Sequence, residues 1–233
     1  MILPLFLTFA LTAAVEAAPS AVPVTLREIG RSRSPNGVCG NLVVHANSAI
    51  AAALHNDQVL ARAIARLRSI DFENNALTRR NGLAELGRLA AELHDQSVHG
   101  DDELRRLDDL SGHSNETRHE EVRAFSDALG GAFSRQRAVA SDLSGFLNFL
   151  EYRELRDVEG GIGDPNHGAL DSLGRPASTL SGPPAVTSPY EASGSPNRMA
   201  QTAAGDFESR VAGVQLDETR AALHSEPAVT GCS

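Results

Sequence analysis

The stretch from Asn115 to Asp157 constrains the fold more than any other part of the chain: NETRHEEVRAFSDALGGAFSRQRAVASDLSGFLNFLEYRELRD. With Val122 at heptad position a, the a series runs Val122, Leu129, Gln136, Leu143, Leu150. The d series runs Phe125, Ala132, Val139, Phe146, Arg153. Phe133 and Leu147 at e widen the seam, as in a bundle helix rather than a bare two-stranded coil. Four of the eight phenylalanines lie here. Ser114 or Asn115 can cap the start, and Glu116, Glu120 and Glu121 suit the positive end of the helix dipole. A straight helix of this span is ~65 Å long at ~1.5 Å per residue. Gly130, Gly131 and Gly145 work against it, so a kink or a close neighbour is expected near Gly130.

A single stripe of this length needs partners, and the rest of the chain offers them. Residues 36–69 read as a first helix with Asn36 as its cap and a seam of Cys39, Val43, Ala46, Ile50, Ala53, Asp57, Leu60, Ile64 and Leu67. Asp57 alone breaks that seam, which points to a register device or a polar pocket. The alanines around it allow close approach of a neighbour. DFENN at 71–75 reads as a turn. Residues 76–110 form the second helix, with Leu83, Leu86, Leu89, Ala90 and Leu93 in a stripe and an interruption near Gly100. The third helix is 115–157. The expected fold is therefore all-α: three long antiparallel helices, in an up-down-up bundle or an elongated coiled-coil-like hairpin, followed by a flexible C-terminal tail. The domain is 36–158.

The flanks differ in kind. Residues 1–17 read as a secretory signal, with an apolar run over 2–15 and a small-x-small site before Ala18. An uncleaved anchor is the alternative, although the run is shorter than the ~20 residues of an ordinary span. Residues 18–35 form an extended leader. Arg27, Arg31 and Arg33 make it the one basic patch, read either as a docking arm or as a solvated lead-in. The Gly-, Pro- and Ser-rich stretch 159–205 has too few large apolar residues to offset its ordering entropy and reads as a disordered linker. Residues 206–224 form one short helix, and 225–233 a tail. Both 36–158 and 159–233 are acidic, so the tail is not expected to dock by charge.

Composition narrows the function classes. The 233 residues are 41% hydrophobic and 22% charged, enough for one sizeable core or two small ones. Arginine supplies all 21 basic residues, an effect read as genomic base composition. A net charge of −9 speaks against wrapping nucleic acid or holding an anionic bilayer by charge.

Candidate chemistry is sparse. Cys39 and Cys232 are the only cysteines, and in an exported chain two cysteines favour one disulfide. The alternative is a small core thiol and a free terminal one. Between 94 and 121 stand His94, His99, His113, Glu116 and His119, with Asp95, Asp101, Asp102 and Glu120 among them. Glu116-x-x-His119 has the spacing that places both side chains on one helix face, as di-iron bundles use, but no second such pair accompanies it. The alternative is a solvated helix junction; as a metal site its nitrogen and oxygen ligands suit zinc or another borderline divalent ion. There is no G-x-S-x-G, and the glycines at 160–163 follow a helix, not a strand. Asn115-Glu116-Thr117 is a formal glycosylation sequon. The chain is accordingly expected to be an exported, periplasmic or extracellular protein without enzymatic activity or a cofactor. It is expected to work through an unknown protein partner or by self-association, with no nucleic-acid partner and no strong membrane binding after signal removal. The rival class is a metal-binding bundle built on 94–121, and a third is an envelope-tethered protein.

Overall fold

The computed structural model describes residues 25–30, 37–74, 76–112, 116–160 and 195–229, with side chains in α3 described as far as Glu151. They form four helices: α1 (Val38–Ser69), α2 (Ala76–Ser111), α3 (Glu116–Gly160) and α4 (Pro196–Ala228). No strand occurs among the described residues. Cross-helix ion pairs fix the directions. His45–Glu103 and Arg66–Glu85 run in opposite order along α1 and α2. Arg135–Asp217 and Arg210–Asp142 do the same for α3 and α4. Arg68–Glu208 and Arg27–Glu226 lie at opposite ends of the α1–α4 seam. Each helix packs on its neighbours in sequence, α4 closes the square against α1, and α1 and α3 face each other diagonally.

The stripes read from sequence are the ones that pack. Val122, Phe125, Leu129, Ala132, Phe133, Val139, Leu143, Phe146 and Leu150 of α3 are all buried. So are Leu86, Leu89, Ala90 and Leu93 of α2, and the apolar seam of α1 from Val43 to Leu67. By length and composition α1 is the one described helix apolar enough to cross a membrane, yet its apolar side chains are what pack the bundle.

Several boundaries differ from expectation. The short, loose helix expected at 206–224 lies inside α4, which extends it at both ends to 33 residues and buries Met199, Ala200, Ala203, Ala204, Phe207, Val214 and Ala221 against the other helices. Alanines supply much of that contact, so the helix packs closely without a stripe of large side chains. Ser195 caps it by accepting a hydrogen bond from Arg198 N at 3.4 Å, and Pro196 sits in the first turn. Local charge pairing also draws α4 in, although both parts of the chain are acidic overall. The linker loses its ends to α3 and α4; 161–194 lie outside the described residues, as do 1–24, Arg31, Arg33 and 230–233. α2 is not interrupted at Gly100. A Cβ there would overlap the Phe133 ring, so this glycine admits a neighbour's aromatic ring and does not end the helix. Gly37, at φ 106°, occupies the N-cap of α1, where Asn36 was expected.

The leader is held by its own chain. Leu26 is buried against the bundle. Asn47 brackets Ile29, its Oδ1 accepting from Ile29 N at 2.7 Å while its Nδ2 donates to Ile29 O at 3.0 Å. Arg27 pairs with Glu226 at 2.9 Å. Part of the basic patch is thus spent on α4.

Candidate functional site

The core is divided. One apolar half gathers Val59–Leu67 of α1 and Ile70 and Phe72 of the turn after it with Leu86–Leu93, Val139–Leu150 and Met199–Phe207. The other gathers Leu42–Ala53 with Leu104, Leu107, Val122–Phe133 and Val214–Val229. Between them lies a polar layer to which every helix contributes: Asn56, Ser97, Gln136 and Glu218, all buried. Asn56 Nδ2 donates to Ser97 Oγ at 3.0 Å and to Gln136 Oε1 at 2.7 Å. Ser97 Oγ in turn donates to Leu93 O at 2.7 Å. Gln136 Nε2 donates to Glu218 Oε1 at 3.5 Å.

Glu218 also hydrogen-bonds Asp57 across the α1–α4 seam. Two carboxyls can hydrogen-bond each other only when one carries a proton, and burial here favours the protonated form. Burial pushes the Glu218 carboxyl up to about 9, reinforced by the charge of Asp57, the hydrogen bond between them and the charge of Asp217. Burial raises Asp57 as well, partly offset by its bond to Glu218. Asp57 Oδ1 and Asn56 Oδ1 are buried without a hydrogen-bond partner. Asp57 lines a groove of about 380 Å³ between α1 and α4, whose walls include Leu60, Ile64 and Val211.

Adjacent Asp217 shows the contrasting solution. It is equally buried, but Arg135 Nε approaches it at 2.7 Å and Arg220 at 3.2 Å, so its charge is compensated. Other carboxylates pair with histidines between helices: Glu103 with His45, Glu92 with His55 and Glu121 with His224.

Among the described residues, the expected metal ligands lie apart. His94 is exposed on α2. His99 Nε2 lies 3.4 Å from Ser48 Oγ, and His119 Nδ1 lies 2.8 Å from Ser111 Oγ. Glu116 is exposed, Asp101 is taken by Arg137, and His113 lies outside the described residues. No three metal-capable side chains come together among the described residues. Cys39 is disulfide-bonded; Cys232, the one other cysteine in the sequence, lies outside the described residues.

Asp57 and Gln136 were visible in sequence as breaks in two seams. Asn56 and Ser97 were not, because small polar residues beside a seam are ordinary. Asp217 and Glu218 looked like surface charges in a loosely spaced segment. No protein-family model, curated protein or solved structure matches the chain.

Proposed function

We propose that this chain is an exported helical module without catalytic activity, which works by contact with another protein surface, in the first instance a second copy of itself. The observation that carries this reading is the outer face of α4. Leu216 and Leu223 stand 53% and 56% exposed, two turns apart and therefore on one side of the helix. Along the same side Gly205, Ser209, Ala212 and Pro227 are exposed too, and none of them is charged. Single exposed leucines are common on monomers, but an uncharged stripe over six turns of an otherwise charged helix is a contact surface in search of cover. The disulfide at Cys39 supports an oxidising compartment, in keeping with the signal read at 1–17.

The test is a paired substitution, Leu216→Glu with Leu223→Glu. Both positions are exposed, so helix content and thermal midpoint should hold. Sedimentation of the wild type should show concentration-dependent assembly, which the variant loses. A wild type that stays monomeric at millimolar concentration removes self-association. If envelope crosslinking then recovers the same species from wild type and variant, the α4 face is not the contact and the reading loses its support.

A further inference from the structure

We propose that Asp57 and Glu218 form a proton-operated latch on the seam between the first and last helices: one shared proton holds the seam closed, and its loss loosens it. The geometry is specific. Glu218 is buried on α4 against Gln136, which also bonds Asn56, and the adjoining Asp57 lines the α1–α4 groove with its Oδ1 buried and without a partner, so the two carboxyls can hydrogen-bond across the seam only while a proton lies between them. Deprotonation leaves two negative charges on the seam, Glu218 buried and Asp57 half-buried, where burial makes each costly.

Among the described residues, no cation on the elements packed against the pair stands ready to take up that charge. From α3 the pair meets neutral Gln136, and the nearby Arg135 is engaged by Asp217. From α2 the layer offers only Ser97, reached through Asn56. On α4 itself Asp217 adds negative charge, and Arg220 is directed to it. Along the groove Arg68 is bound to Glu208 at 2.6 Å. Opening the seam at the groove would let water reach both carboxylates. Among the described residues the α2–α3 seam has no such pair, so the effect is confined to one side of the square.

The sign follows from linkage. Both groups release their proton at higher pH in the folded chain than in the unfolded one. Their stabilising contribution is complete below the ordinary carboxyl value of 4.5, declines as pH rises, and is gone once pH passes about 9. One retained proton changes the folded-to-unfolded ratio by about tenfold per pH unit within that window.

The experiment follows the thermal midpoint of the full chain from pH 5 to 10, with hydrogen exchange at pH 7 and 9.5 corrected for intrinsic rates. The wild type should lose stability steadily up to pH 9, and amides of 57–64 and 208–218 should lose protection before those of α2 and α3. Glu218→Gln keeps the shape and can donate to Asp57 without a proton to lose, so its profile should be nearly flat over that range. Asp57→Asn should flatten it likewise, and serves if the first variant does not fold. Parallel profiles for wild type and both variants, or uniform loss of protection over all four helices, would overturn the latch. Carbon-13 titration of the wild-type carboxyls gives an independent reading: a midpoint well above 7 at Glu218 or Asp57 supports it, and midpoints near 4 for both sink it.

Discussion

Gly100 and Gly145 occupy interior helix positions and should respond to alanine in opposite directions. Helix propensity alone favours alanine at each by roughly 1 kcal/mol. At Gly145 nothing lies within 4 Å of a built Cβ, so Gly145→Ala should raise the thermal midpoint by about 2–4 °C. At Gly100 the new methyl would enter the space of the Phe133 ring, which is completely buried and has nowhere to go. Gly100→Ala should therefore cost about 1–3 kcal/mol despite its better propensity. Differential scanning calorimetry on the two variants separates packing from propensity, and a gain at both sites would show that Phe133 moves freely. The sequence displays both glycines alike. What distinguishes them is the residue opposite, supplied by another helix, and no local pattern carries that information.

The same limit explains which helices were legible. In α3 large side chains recur at heptad spacing over many turns, and the pattern survives the break at Gln136 because its neighbours on both sides are apolar. α4 reaches a comparable burial with alanines, and its most informative residues, Asp217 and Glu218, look like solvent-facing charges until Arg135 and Asp57 are placed beside them. The DFENN turn shows a longer-range version. Asp71 closes it locally, its carboxylate accepting from Glu73 N and from the backbone and side chain of Asn74. It is then tied to the start of α4: Asn197 Oδ1 accepts from Phe72 N at 2.7 Å, and Asn197 Nδ2 donates to Asp71 at 3.2 Å. Phe72 is buried beneath this junction. Asn197→Ala leaves the Phe72 N–H without its partner and should cost about 1–2 kcal/mol in urea unfolding. The side chain of Asn74, then the backbone of Glu73, Asn197 and the backbone of Asn74, hold the Asp71 carboxyl down to about 2. A lowered value means stability present above the ordinary 3.8 and lost as pH falls through about 2. Asp71→Asn should flatten that acid limb, and an unchanged acid limb would show that the turn does not stabilise the ionised form.

Across the whole molecule the polar layer separates two apolar halves that are closed in different ways. The half around Phe72 and Phe207 is capped by the turn and Asn197. The half around Phe125 and Val214 receives the leader through Leu26 and Asn47, and Cys39 packs against it. A polar layer drawn from four helices fixes axial register, because sliding any helix by a turn would set Asn56, Gln136 or Glu218 against hydrocarbon. It also interrupts apolar contact between the halves, so they should differ in how tightly they are held once one closure is removed. The disulfide at Cys39 provides the means. Cys232 is the one other cysteine in the sequence, and if it is the partner, chain-entropy reasoning gives so long a closure about 4–5 kcal/mol at most. Cys39→Ser should therefore lower global stability by an amount up to that limit. Its effect on native-state hydrogen exchange should be uneven: amides of 42–53 and 214–228 should lose protection first, while those of 59–69, 86–93 and 139–150 keep most of theirs. If both halves open together at every denaturant concentration, the layer sets register without dividing the bundle into separate cooperative units.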